Sequence, residues 1–235
     1  MKNNEKTPNY VAFVCMVFIL IILLIIIIAV FRSSNTKNLT GSQTQVKIEP
    51  GIVSTVKEQT LSAPKSDTKS PTLGDAKAPI SIFEYSSFSC RSSREIQSTL
   101  QAIIKSYSGK VKLIWKDLPL REEYPNSLIA HIGARCAQNQ GKFWEYANLL
   151  WQDQNNFSTS SAMTLAKKLK LDTNLFSTCL ESPEIKTLIA NDEQEANELA
   201  IPGTPHFYIN NQEISGVGSI DDFKKLIDAE LNRKK

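Results

Sequence analysis

The chemistry-bearing side chains of this 235-residue chain are few: four cysteines and two histidines. One cysteine stands apart by its neighbours. Cys90 is followed by Arg91, Ser92, Ser93 and Arg94 and opens a stretch to Tyr107 in which Ile96, Leu100, Ile103 and Ile104 recur at helical spacing. A cysteine in the first turn of a helix meets unpaired main-chain N–H groups and the positive end of the helix dipole, and Arg91 and Arg94 add positive charge. Together these favour the thiolate, which is the nucleophile. The Ser93 hydroxyl, one turn on, stands where it can donate a hydrogen bond to the sulfur. A buried, inert cysteine is the alternative reading. His131 reads as a helix-surface residue, and His206 as a residue lining a groove. No two-Cys, two-His spacing occurs, so neither a metal nor a cofactor is expected.

The elements that must hold Cys90 follow from hydrophobic period. Pro79 to Tyr85 alternates like a strand, Ser86 to Ser89 breaks it, and the Cys90 helix follows, closed by Gly109. Val111, Leu113 and Trp115 alternate as a second strand, which predicts a βαβ unit. From Asn126 to about Leu199 the pattern is helical. Phe207 to Ile209 and Glu213-Ile214 predict two strands around an Asn210-Asn211 turn, and Asp221 to Leu231 a last amphipathic helix.

Strand, helix, strand, helical block, hairpin and helix in that order resembles an α/β thioredoxin-like fold with an inserted helical domain at about 120–199. The residues sharpen the resemblance. Ala78-Pro79 entering a strand, Glu84-Tyr85 near its end and Phe88-Ser89-Cys90 at the helix start look like the active-site segment of the DsbA-like thiol-disulfide oxidoreductase family. Leu118-Pro119-Leu120, Gln140 through Tyr146, Leu171-Asp172 with Phe176 and Cys179, and Pro202-Gly203-Thr204-Pro205 are similar to that family's further landmarks. The resemblance covers roughly residues 73–232.

What it implies is partly subverted by one residue. The family's site is usually Cys-x-x-Cys, and here Cys90-Arg91-Ser92-Ser93 places Ser93 where the second thiol stands. The first cysteine forms a mixed disulfide with a client and the second resolves it, so with Ser93 exchange can begin but cannot finish internally. A hydroxyl is too weak an acid to attack a disulfide sulfur at neutral pH. What survives is monothiol chemistry: rearrangement of client disulfides, or exchange with a small thiol. The resemblance further implies a cis Pro205 facing the nucleophile, with Thr204 offering its hydroxyl; a trans proline ending the helical block is the alternative. It makes Glu84 a buried acid that assists proton movement, against a solvated strand-end carboxylate. It pairs Cys136 with Cys179 in a structural disulfide, against two free core thiols.

The rest of the chain concerns location. Residues 10–31 are 22 consecutive apolar residues, long enough at about 1.5 Å per residue to cross a hydrocarbon core of about 30 Å. An uncleaved transmembrane anchor is expected after a short cytoplasmic tail, residues 1–9. A cleaved secretory signal is the alternative, although Phe31 sits where a small residue is wanted. Cys15 lies within this run as a small apolar residue. Residues 32–72, rich in Ser, Thr, Lys, Asn, Gln and Pro, are expected to form a disordered stalk before a folded domain at 73–235. That domain carries 19 basic and 20 acidic side chains, which gives no support for binding nucleic acid. The expectation is a single-pass membrane protein whose domain lies on the periplasmic or cell-surface side, acting through Cys90 on secreted or membrane client polypeptides that contain cysteines, with an unidentified redox partner. The rival is a redox-inactive thioredoxin-fold module that only binds or chaperones such polypeptides.

Overall fold

The structure, a computed structural model, describes residues 63–233. Two alternating apolar segments make its centre. Strand β2 (Ile80–Ser86) and strand β3 (Val111–Asp117) run parallel, Ile82 level with Leu113, and helix α1 (Arg91–Ser106) makes the crossover between them. Gly109, at φ +75°, takes the left-handed conformation that turns the chain from α1 into β3. Strand β4 (His206–Ile209) pairs antiparallel on the other side of β2, and β5 (Gln212–Ser215) on β4. The fifth strand, β1 (Thr72–Gly74), lies antiparallel on the far edge of β3, giving the order β1-β3-β2-β4-β5.

One sheet face is covered by α1 and the final helix α7 (Ile220–Arg233). Ile80, Ile82, Leu113, Phe207 and Ile209 pack there against Ile96, Leu100 and Ile103 of α1 and Phe223 and Ile227 of α7. Between β3 and β4 the chain forms five helices: α2 (Ser127–Gln138), α3 (Phe143–Leu150), α4 (Thr159–Lys168), α5 (Thr173–Leu180) and α6 (Pro183–Glu198). Their starts are written locally: Ser158 and Ser161 form a capping box for α4, Asp172 caps α5, and Ser182 with Pro183 opens α6. Phe143, Tyr146, Phe176 and Ile189 from this block share one apolar cluster with Phe88 and Trp115, so the helical core grows out of the C-terminal end of the sheet. Cys136 on α2 and Cys179 on α5 are joined by a disulfide.

Beneath the sheet's C-terminal end lies a buried ionic cluster. Asp117 binds Arg135 Nε and His131 Nδ1, the latter at 2.6 Å, and Arg135 reaches on to Asp192 at 2.7 Å. Lys116 pairs with Asp192 and Glu195, and Tyr85 donates to Glu195 at 2.6 Å. Burial acts to raise the Asp117 carboxyl, but Arg135 and His131 outweigh it and hold it well below the usual carboxylate range. Burial and the neighbouring Asp117 push Asp192 up to about 6.

Two expectations change here. The stalk assigned to 32–72 ends earlier, because residues 63–72 are folded onto the domain. Lys65 N–H donates to Glu195, Asp67 binds Ser70 and Lys116, Lys69 O accepts from Arg135, and β1 begins at Thr72. The polarity that suggested disorder instead serves a charged docking surface. His131, read as a surface residue, is fully buried, because Asp117 and Arg135 supply the partners that a polar side chain needs in a core. The expected anchor at 10–31 lies outside the described residues, and no helix among the described residues is long and apolar enough to cross a membrane.

Candidate active site

Cys90 is the residue at which α1 starts. It occupies the N-cap position in an extended conformation, φ −82° and ψ 123°, and is half-buried. Its Sγ donates to the main-chain oxygen of Thr204 at 3.2 Å, across the loop that leads into β4. The Thr204–Pro205 peptide is cis. Cys90 and the Thr204-Pro205 pair, with Thr204 lying 114 positions further along the sequence than Cys90, therefore meet at one point.

The approach differs in detail from that expected. Thr204 presents its carbonyl to the sulfur, while its Oγ1 is buried without a partner. Ser93 is fully buried and its Oγ also lacks a hydrogen-bond partner, so the expected bond from Ser93 to the sulfur is not formed. The N-cap conformation turns Cys90 toward the Thr204 loop instead. Arg91 stays on the exposed side of α1 and pairs with Glu95 at 2.8 Å, an exposed i,i+4 ion pair of small energetic weight.

Glu84 is held under the site. Residues of β2 alternate between faces, so Glu84 shares the α1 face with Ile82. It is fully buried, and its Oε1 accepts from Gln97 Nε2 at 2.7 Å; the same nitrogen donates to Ser93 O at 2.8 Å. Burial pushes the Glu84 carboxyl up to about 7 against the opposing pull of the Gln97 hydrogen bond. Gln97 thus ties this carboxyl, poised near neutrality, to the first turn of α1.

The helical block holds the Phe88–Cys90 segment from the other side. The Phe88 ring stacks on Trp115 at 4.7 Å and contacts Trp151 and His131 at 4.8 Å. Phe88 N–H donates to His131 Nε2, and Ser87 Oγ meets Ser127 Oγ at 3.1 Å. Gln154, in the loop after α3, donates to both Phe88 O and Cys90 O. Sequence reasoning missed Gln97, His131 and Gln154. Only Gln97 left a local signal, since it sits two helical turns from Cys90 on the face of Ser93. The disulfide between Cys136 and Cys179 leaves Cys90 as the free cysteine among the described residues. Those residues hold no cluster of three or more His, Cys, Asp or Glu side chains suited to a metal.

Comparison with known proteins agrees with this geometry. A family model described as thioredoxin matches residues 66–229. A probable disulfide bond formation protein D from Bacillus anthracis is 28% identical over 172 residues, covering 68% of this chain and 78% of that protein. A Na(+)/H(+) antiporter NhaA 3 from Salinispora tropica is 27% identical over 161 residues, 68% of this chain, and the chain spans only 24% of that relative's length. The thiol-disulfide exchange protein alpha-DsbA2 from Wolbachia pipientis has the same fold, with a TM-score of 0.63 at 21% identity over 69% of this chain and 88% of that one.

Proposed function

The chain belongs to the thioredoxin family, and from that premise we propose that it is a DsbA-like thiol-disulfide exchange protein of monothiol type, with Cys90 as the attacking thiol. The observation that carries the reading is the meeting of the Cys90 sulfur with the Thr204 main chain at the start of α1, with Ser93 in place of a second thiol and the other two described cysteines bonded to each other. The names of the Bacillus anthracis and Wolbachia relatives, a disulfide bond formation protein and a thiol-disulfide exchange protein, point the same way.

The exchange balances without a second internal thiol. Cys90 thiolate attacks one sulfur of a client disulfide, a Cys90–client disulfide forms, and the other client sulfur leaves as thiolate. A second client thiolate, or a small thiol, then attacks the client sulfur of that mixed disulfide and releases Cys90 as thiolate. Each disulfide broken is matched by one formed, so client disulfides are rearranged with no net electron transfer to the chain. Glu84, buried beneath the start of α1 with its carboxyl pushed up to about 7, is the group that in this reading takes up or releases a proton during exchange.

The clients of this reading are cysteine-containing secreted or membrane polypeptides. Residues 10–31 anchor the chain, residues 1–9 stay in the cytoplasm, and the segment from 32 to about 62 gives the domain reach on the extracytoplasmic side, where disulfides persist. Incubation with a protein carrying mispaired disulfides tests the activity. Rearrangement that disappears in Cys90→Ala is expected; equal rearrangement by the parent and Cys90→Ala chains contradicts the reading.

A further inference from the structure

Gln154 belongs to neither the thioredoxin core nor the Cys90 helix, yet its side-chain nitrogen lies 2.8 Å from Phe88 O and 2.9 Å from Cys90 O. Both partners are carbonyl oxygens, so the amide must present its NH2 end, and one hydrogen goes to each. From these contacts we infer that Gln154 is a positioning residue for the Cys90 thiolate, an inference that rests on the exchange role of Cys90.

The physical ground is geometric. Two carbonyl oxygens, on Phe88 and on Cys90 itself, belong to the segment that presents the sulfur, and two donated hydrogen bonds draw both toward the helical block. The same bonds fix the orientation of the segment. Its N–H side is fixed in parallel: His131 Nδ1 binds Asp117, which leaves Nε2 as the acceptor for Phe88 N–H. Gln154 is the half of this clamp that touches the nucleophile's own residue, and it comes from an otherwise exposed loop, so its removal leaves the apolar core intact.

The test compares the 235-residue chain with Gln154→Met, Gln154→Leu and Gln154→Lys. The readouts are the second-order rate of Cys90 adduct formation with glutathione disulfide and the thermal midpoint of each chain. Met keeps the length but donates nothing, and Leu is the second such variant should Met fail to fold. Lys restores a multiple donor of similar reach. A loss of about tenfold in rate for Met or Leu in a folded chain, with recovery to within about threefold of the parent for Lys, supports the inference. A folded Met or Leu chain that reacts as fast as the parent overturns it, as does a folded Lys chain as slow as Met. If the parent chain itself forms no Cys90-dependent adduct, the exchange reading fails first; a reactive parent with unaffected variants refutes the role of Gln154 alone.

Discussion

The Cys90 sulfur lies 3.2 Å from the main-chain oxygen of Thr204. Cys90 and the loop entering β4 thus share one front. Ser93, directly behind, is fully buried and supplies only a hydroxyl.

Restoring the second thiol changes the kind of chemistry. In Ser93→Cys, the new thiol attacks the Cys90–client disulfide from within, releases the client and leaves an internal disulfide between Cys90 and the sulfur introduced at position 93. The lifetime of mixed disulfides is expected to fall by at least about tenfold, and the internal disulfide so formed to oxidise one equivalent of a reduced dithiol peptide while itself returning to the dithiol. Quenching with acid and separating adducts by mass measures both. Unchanged adduct lifetime in a folded Ser93→Cys chain contradicts this.

Glu84 gives a pH signature in stability. Its folded carboxyl titrates near 7, above an ordinary value near 4.5. Between those values the folded chain holds a proton that the unfolded chain has released, so this group's contribution to stability falls as pH rises through the window. Glu84→Gln does not titrate. The stability of Glu84→Gln relative to the parent is therefore expected to rise by about 3 kcal/mol from pH 4 to pH 8, measured by denaturant unfolding at each pH. A difference that stays flat across the window contradicts the assignment.

The Cys136–Cys179 disulfide closes a loop of 43 residues in sequence separation. Replacing both residues by alanine is expected to cost about 3 to 4 kcal/mol of stability while leaving Cys90 adducts at their parental rate at temperatures where the chain stays folded. Denaturant unfolding and adduct kinetics read the two parts separately. A parental stability, or a collapse of Cys90 reactivity in the folded double variant, goes against a purely structural bond.

In the buried cluster, Asp117→Asn removes the anion that Arg135 and His131 share and leaves a buried guanidinium short of a partner. A loss of about 3 to 5 kcal/mol is expected, read by chemical denaturation near neutral pH. A loss below about 1 kcal/mol indicates that the cluster is dispensable.

What the sequence made legible followed period and local chemistry. The alternation of β2 and β3, the apolar stripe of α1 and the Asn210-Asn211 turn each reflect forces acting within a few residues. The meeting of Cys90 with a cis Thr204-Pro205 and the burial of Glu84 were also expected, since these residues sit in motifs that keep their form in one dimension. Strand β1 escaped notice because three residues make no period and the partner of Thr72, Ile114, lies 42 positions away in the chain. Lys116, Asp117, Arg135, Asp192 and Glu195 form no local pattern, and only their convergence in space explains their burial. Gln154 carried no signal at all, because its partners are backbone atoms, which every residue has.

Trapping of mixed disulfides decides whether Cys90 exchanges thiols with other polypeptides. The parent chain and Cys90→Ala are exposed to extracytoplasmic polypeptides, quenched with an alkylating agent and resolved without reductant. Adducts that depend on Cys90, accumulate because Ser93 cannot resolve them, and collapse on reduction are predicted. A parent chain that yields no adducts beyond those of Cys90→Ala contradicts thiol exchange as its function.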